Sequence, residues 1–372
     1  MSKYVINLEK LRELAAQSRA NADKLGVKLY FALKSCPHEG IFPTLREFVE
    51  GTTASGLNEA RLCAKMGKDV HVHSPAYRAE DIPELCDLCS TIVFNSLAQY
   101  ERFSPEVMRR GRTAALRINP GFSACSSWKY DPCSKYSRYG VTLDELAKGT
   151  ASVQQQDQRN FQPSHLLTSS PSHPLSLHLH ALCEASSDEF AALVEHLNHQ
   201  LSTTNYQLPT ANFKLKTLNL GGGMRISDPA FATPRAIAAV AELKRLTGAE
   251  ILIEPSEYLV TEAGTYETEV LDIIDRDGKR IAIIDGSAAC HMPDVLNMPY
   301  IPYIISPLTL SPSHLPYILA GNTCLSADVI GEYQFAAPLK VGDKIVFGGM
   351  GAYTFCQVNT FNGVPVPPVV FV

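Results

Sequence analysis

Apolar positions recur with two different periods along the 372-residue chain, and the change of period divides it. Between residues 8 and 25, Leu8, Leu11, Leu14 and Ala15 fall at helical spacing and predict an amphipathic helix. Residues 28–33, Lys-Leu-Tyr-Phe-Ala-Leu, form a continuous apolar run of the length expected of a buried strand. Similar short runs recur at 69–73, 91–95, 115–120, 177–180, 217–220 and 250–254, with helix-like stretches between them. With a short element near Thr52–Ser55 they give about eight β/α units, which predicts an α/β fold, a (β/α)8 TIM-like barrel. Such a barrel builds its site at the C-terminal ends of its strands, where the pattern puts Lys34, Asn95, Asn119, His180 and Glu254.

After Tyr258 the texture changes. Residues 266–274 alternate at period two, 280–285 follow an Asp277-Gly278 turn, and 344–347 and 352–355 continue in strand-like style without a long helix. The expected organisation is a barrel over 1–258 and a C-terminal β-rich (β-barrel) domain over 259–372. Residues 151–175, rich in Gln, Ser, His and Pro, have too few apolar side chains to pack and are expected to form a flexible surface insertion.

Composition narrows the class of protein without naming a function. An apolar fraction of 45% and a charged fraction of 19% are those of an ordinary globular protein. A net charge of −5 without a basic block argues against nucleic acid and agrees weakly with a cationic small substrate. The first residues lack the apolar core of a signal peptide and no stretch is long enough to span a membrane, so a cytoplasmic protein is expected. The ten cysteines are scattered and are expected to be reduced thiols. The lone C-x-x-C of Cys86 and Cys89 lacks the second pair a zinc site needs and reads as a packed helix face. Cys324 differs from the others in being flanked by Gly, Asn and Thr residues.

Four features carry candidate chemistry. Lys34 ends an apolar run; an amine desolvated there loses basicity and can form a Schiff base with an aldehyde, although many such lysines only mark where a strand reaches water. Gly221, Gly222 and Gly223 directly follow a strand, where bare amides could converge on a phosphate or a tight turn could enter the next helix. Glu254, after Ile251-Leu252-Ile253, could hold a pyridine nitrogen protonated or cap a strand end. His180 could stack on a planar cofactor or be a satisfied core residue.

Taken in order, these features resemble a known family. The carrying stretches are Ala32-Leu33-Lys34, Thr53-Ala54-Ser55-Gly56-Leu57-Asn58-Glu59, Phe94-Asn95-Ser96, Ser137-Arg138-Tyr139-Gly140, His180-Ala181-Leu182-Cys183-Glu184 and Asn219-Leu220-Gly221-Gly222-Gly223. The most discriminating are Cys290-His291-Met292-Pro293-Asp294-Val295-Leu296, Gly321-Asn322-Thr323-Cys324 with Gly331-Glu332-Tyr333, and Gly351-Ala352-Tyr353-Thr354 with Phe361-Asn362-Gly363. Over nearly its whole length the chain resembles the fold-type III pyridoxal-phosphate decarboxylases, which join an alanine-racemase-like barrel to a β-domain. Within them it is most similar to the group acting on carboxynorspermidine and carboxyspermidine.

The resemblance implies pyridoxal 5′-phosphate bound covalently by Lys34, with Glu254 at its pyridine nitrogen and His180 on its ring. Gly221, Gly222, Gly223 and Tyr353 are implied at the phosphate, with Cys183 nearby. It also implies a homodimer with shared active sites, in which Cys324 comes from the partner subunit and acts as the acid. Ornithine-type relatives carry Glu-Pro-Gly-Arg where this chain has Glu254-Pro255-Ser256-Glu257, and an aspartate where it has Leu325. An acid at 257 is the habit of the carboxynorspermidine group, and both departures favour a longer cationic substrate, held by Asp294 and Glu257. Ser256 in place of glycine and Tyr139 in place of leucine alter local geometry only. The alternatives are an ornithine, arginine or diaminopimelate type of decarboxylase and a non-catalytic pyridoxal-phosphate carrier, which would lack residues 259–372. A racemase is disfavoured by Glu254.

Overall fold

The computed structural model describes residues 1–125, 128–129, 131–142, 145–146, 175–202, 215–298, 300–307 and 316–372. Two compact units emerge: one gathers Met1–Leu14, Lys34–Thr44 and Glu257–Val372, the other Ala15–Leu33 and Leu45–Ser256. The expected insertion lies outside the described residues except for Leu175, which opens a strand.

The chain enters through β1 (Lys3–Ile6), which the expected boundary at 258 assigned to the barrel. It pairs instead with a strand of the β-rich unit, Tyr4 opposite Tyr266 and Ile6 opposite Gly264, and along its other edge with the last strand of the chain. The reason is its alternating burial, with Tyr4 and Ile6 turned inward and Lys3 and Val5 half-buried, a pattern that suits a sheet covered on one face rather than a barrel wall.

The barrel strands are β2 (Lys28–Ala32), β3 (Gly51–Ala54), β4 (Asp69–His73), β5 (Thr91–Phe94), β6 (Thr113–Asn119), β8 (Leu175–His178), β9 (Leu215–Asn219) and β10 (Glu250–Ile253), with the short β7 (Val141–Thr142) on the edge of β6. These eight run parallel in the spatial order β5-β4-β3-β2-β10-β9-β8-β6, and β5 pairs with β6 to close the ring. Burial on both faces explains why strands such as Lys-Leu-Tyr-Phe-Ala read as unbroken apolar runs. Helices α1 (Leu8–Leu25), α2 (Leu57–Ala64), α3 (Ile82–Leu88), α4 (Leu97–Arg109), α5 (Ser187–Ser202) and α6 (Pro234–Thr247) alternate with these strands along the chain. The last of them shows why its ends fall where they do. Thr233 Oγ1 accepts from the Ala236 amide, Pro234 occupies the first turn, and Gly248 closes the helix with a left-handed φ of 63°.

The other unit is a mixed sheet. Its strands are β11 (Gly264–Arg276), β12 (Lys279–Ile284), β13 (Ile304–Ser306), β14 (Tyr317–Ala320), β15 (Val329–Tyr333), β16 (Lys344–Phe347) and β17 (Val369–Phe371), ordered β13-β16-β11-β12-β14-β15, with β1 paired to β11 and β17 to β1. Residues 352–355, expected as a strand, instead turn: Tyr353 has a φ of 58°, which breaks an extended backbone, and a short 3-10 helix follows at Phe355–Gln357. Tyr266 centres this core. Its ring meets those of Tyr4 and Phe347, and its hydroxyl lies 2.8 Å from His291 Nδ1.

Phe347, fully buried in this core, should lose about 3–5 kcal/mol of stability on truncation to Ala. The exposed Val341→Ala should stay within about 0.5 kcal/mol of wild type, both read from urea midpoints.

Candidate active site

Six polar side chains converge at the C-terminal ends of the barrel strands: Thr53 on β3, His73 on β4, Arg117 on β6, His178 on β8, Asn219 on β9 and Glu254 just after β10. Glu254 is their centre. Its Oε2 accepts from Thr53 Oγ1 at 2.7 Å and from Asn219 Nδ2 at 2.9 Å, and its Oε1 lies 2.7 Å from His178 Nε2. Burial alone would push the carboxyl up, but the field and hydrogen bond of His178, with those of Thr53 and Asn219, hold it well below the usual carboxylate range. An ionised carboxylate can only accept, so Nε2 of His178 carries the proton in this contact. Burial in turn pushes His178 down, against the pull of Glu254.

Behind His178 lies His73, stacked on it with ring centroids 5.1 Å apart. Arg117 Nη1 approaches the His73 ring nitrogens to 3.3 Å, and its guanidinium lies 4.3 Å over the Tyr139 ring. Desolvation, then the Arg117 charge, holds His73 well below its ordinary value. Arg117 itself is pushed down to about 10 by burial.

The glycine triad packs against this cluster for a steric reason. A Cβ on Gly221 would strike the Leu179 carbonyl and the His180 backbone, one on Gly222 the Glu254 carbonyl, and one on Gly223 the Leu182 carbonyl. Gly221 and Gly223 also have φ of 73° and 84°, which glycine alone adopts readily. The Gly221 amide donates to Asn219 Oδ1 and the Gly222 amide to His180 Nδ1. The close approach therefore brings Gly221–Gly223, His180, Cys183 and Glu254 into one neighbourhood. Two of the three amides thus donate to the protein's own side chains. His180 lies two residues beyond its strand, which stops at His178.

The β-rich unit assembles a second group. Lys34 lies in a 3-10 turn, Leu33–Ser35, after β2 ends at Ala32. The turn carries it out of the strand and leaves it exposed. The Tyr353 amide donates to Ser35 O at 2.8 Å, which sets Tyr353 beside the Lys34 turn. Thr354 Oγ1 stands 3.5 Å from Asp294 Oδ2, which also accepts from Tyr300 at 2.7 Å. Burial pushes Asp294 up, and its Oδ1 is buried with no partner at hydrogen-bonding geometry. Glu257, half-buried, opens a four-residue helix, Glu257–Val260.

Cys324 stands at an exposed loop tip. Its amide donates to Asn362 Oδ1 at 3.0 Å, and the loop is closed by the buried Asp328, which accepts from Thr323 Oγ1 and Ser287 Oγ.

Sequence reasoning missed His178, although Leu177-His178-Leu179-His180 alternates and period two puts both histidines on one face. It also missed Arg117, whose signal was a guanidinium inside the run Ala-Ala-Leu-Arg-Ile.

Residues 4–351 match the sequence model of a family described as pyridoxal-dependent decarboxylase, C-terminal sheet domain, and the chain belongs to that family. It is accordingly a pyridoxal-phosphate-dependent carboxy-lyase. The chain is 32% identical to a carboxynorspermidine/carboxyspermidine decarboxylase of Campylobacter jejuni over 98% of its own length and 91% of that protein. It is also 32% identical to a carboxyaminopropylagmatine decarboxylase of Synechocystis, over 98% of this chain and 88% of the relative. Among solved structures, carboxynorspermidine decarboxylase from Campylobacter jejuni, complexed with norspermidine, superposes with a TM-score of 0.81 and 30% identity, covering 100% of this chain and 94% of that one. Among the described residues no helix is long and apolar enough to cross a membrane.

The buried carboxylate fits a protonated pyridine nitrogen. Three of its roughly four acceptor positions are filled by protein donors, which leaves one on Oε1. Because the folded protein binds its proton more weakly than the unfolded chain does, Glu254 stabilises the fold above the unfolded value of about 4.3 and loses that effect as pH falls below it. Glu254→Gln apoprotein should be about 1–3 kcal/mol less stable than wild type near neutral pH. The gap in urea midpoint should narrow below about pH 4.

Proposed function

We propose that this chain decarboxylates a carboxylated polyamine of the carboxynorspermidine and carboxyspermidine type, releasing norspermidine or spermidine and CO2. The observation that carries the substrate class is Asp294, a carboxylate whose buried Oδ1 has no partner at hydrogen-bonding geometry and whose other oxygen is fixed by Tyr300 and Thr354. Such a group suits a secondary ammonium in a long aliphatic chain, and Leu325 removes the acid that a short diamine would meet. The identity to the Campylobacter jejuni decarboxylase over nearly the whole chain supports the same reading.

When bound, pyridoxal phosphate supplies an electron sink for the pair left on the α-carbon as CO2 departs. In this reading Lys34 Nζ would hold the cofactor covalently. Glu254 would accept the pyridinium N–H and keep the nitrogen charged. His180 covers the ring face, and Gly221, Gly222, Gly223 and Tyr353 grip the phosphate, with Cys183 beside it. Cys324, from the partner subunit of a homodimer, returns a proton from Sγ to the α-carbon. Asp294 and Glu257 hold the cationic tail.

A second reading follows from the Synechocystis relative, namely a carboxylated aminopropyl substrate ending in a guanidinium. A product assay with carboxynorspermidine, carboxyspermidine, carboxyaminopropylagmatine, ornithine and diaminopimelate separates the two. Turnover of either of the first two supports the preferred reading, and turnover of the third alone replaces it. Asp294→Ala should raise KM for the preferred substrate about 10–100-fold with a smaller effect on kcat, the loss of a charge-assisted hydrogen bond.

Reconstituted Lys34→Ala should lack the absorbance at the visible edge that marks covalent attachment; an unchanged spectrum would remove Lys34 from that role.

A further inference from the structure

The barrel's polar interior contains a residue whose placement has a specific consequence for the cofactor. His178 is 2% exposed, donates from Nε2 to Glu254, and has no hydrogen-bond partner at Nδ1, which is also buried. A second proton, on Nδ1, would be stranded there with no acceptor, with the His73 ring stacked alongside and Arg117 just beyond it. The donor facing Glu254 is thus one without a fixed charge. The nearest guanidinium, that of Arg117, is kept one imidazole further away, against His73 and over Tyr139.

This arrangement differs in kind from an ion pair. A lysine or arginine at 178 would orient the carboxylate but cancel its charge. Thr53 and Asn219 together fix Oε2, while His178 fixes Oε1, the oxygen with an acceptor position left. We infer that His178 is a positioning residue for the cofactor: a donor without a fixed charge that aims Glu254 Oε1 at the pyridine nitrogen and, unlike a lysine or arginine at 178, does not form a permanent ion pair with it. The inference rests on the reading of Glu254 as the pyridine partner and assigns the residue that makes that partner effective.

The test compares binding of pyridoxal 5′-phosphate with binding of its 1-deaza analogue, in which CH replaces the ring nitrogen. Calorimetric titrations of apoprotein would use the wild type, His178→Leu, His178→Gln and Glu254→Ala. Wild type should prefer the natural cofactor by about tenfold or more, as expected of one charge-assisted hydrogen bond. His178→Leu should lose most of that preference while binding the analogue within about threefold of wild type, and His178→Gln, which restores an N–H at similar reach, should recover it. A His178→Leu protein that keeps the preference, or loses affinity for both ligands equally, overturns the inference. If His178→Leu does not fold, His178→Asn, too short to reach the carboxylate, is read by the same ratio and the same criteria. Glu254→Ala separates the two layers. Retained preference there removes Glu254 from the pyridine nitrogen altogether, whereas loss in Glu254→Ala but not in His178→Leu removes only His178.

Discussion

A carboxylate enclosed by a barrel must be kept ionised without being neutralised, and the layout of the barrel unit follows from that requirement. Burial favours protonation of Glu254. A lysine or arginine in contact would reverse this but would consume the charge. The barrel instead surrounds Glu254 with three hydrogen-bond donors, none of them a lysine or arginine, from the ends of β3, β8 and β9. Their positions come from strand register: His178 is paired with Asn219 on one side and with Arg117 on the other. A shift of one residue in any of these strands would turn the donor to the opposite face.

The glycine triad belongs to the same constraint. The chain after β9 passes so close to the backbones at 179–183 and 254–255 that side chains are excluded at three consecutive positions. That contact ties His180 and the Glu254 backbone to one another. In the β-rich unit, the link from the Tyr353 amide to Ser35 and the left-handed turn at Tyr353 play the matching part, keeping Tyr353 beside the turn that bears Lys34. Asp328 does so for the Cys324 loop, where a buried carboxylate organises the backbone around a thiol that remains exposed.

Much of this was legible in the sequence because parallel strands buried on both faces leave unmistakable apolar runs, and because their polar ends stand out. Glu254 after Ile-Leu-Ile is the clearest instance. What escaped was long-range partnership. Nothing in Thr53 or Asn219 announces that both donate to one oxygen of a residue 201 and 35 positions away. Of two histidines at period two, the motif singled out His180, while the pairing of strands made His178 the partner of the acid. β1 was misassigned because four residues carry too little pattern to reveal which sheet will accept them. Lys34 was placed correctly after its strand, but the turn that exposes it depends on local backbone geometry that residue type does not encode.

The central claim is electronic: Glu254, held ionised by hydrogen-bond donors that include no lysine or arginine, keeps the pyridine nitrogen of the cofactor protonated. Its most direct measurement is the 15N chemical shift of that nitrogen in protein reconstituted with labelled pyridoxal phosphate. The account predicts a pyridinium shift that persists from about pH 6 to about pH 9. An unprotonated shift at neutral pH would contradict it.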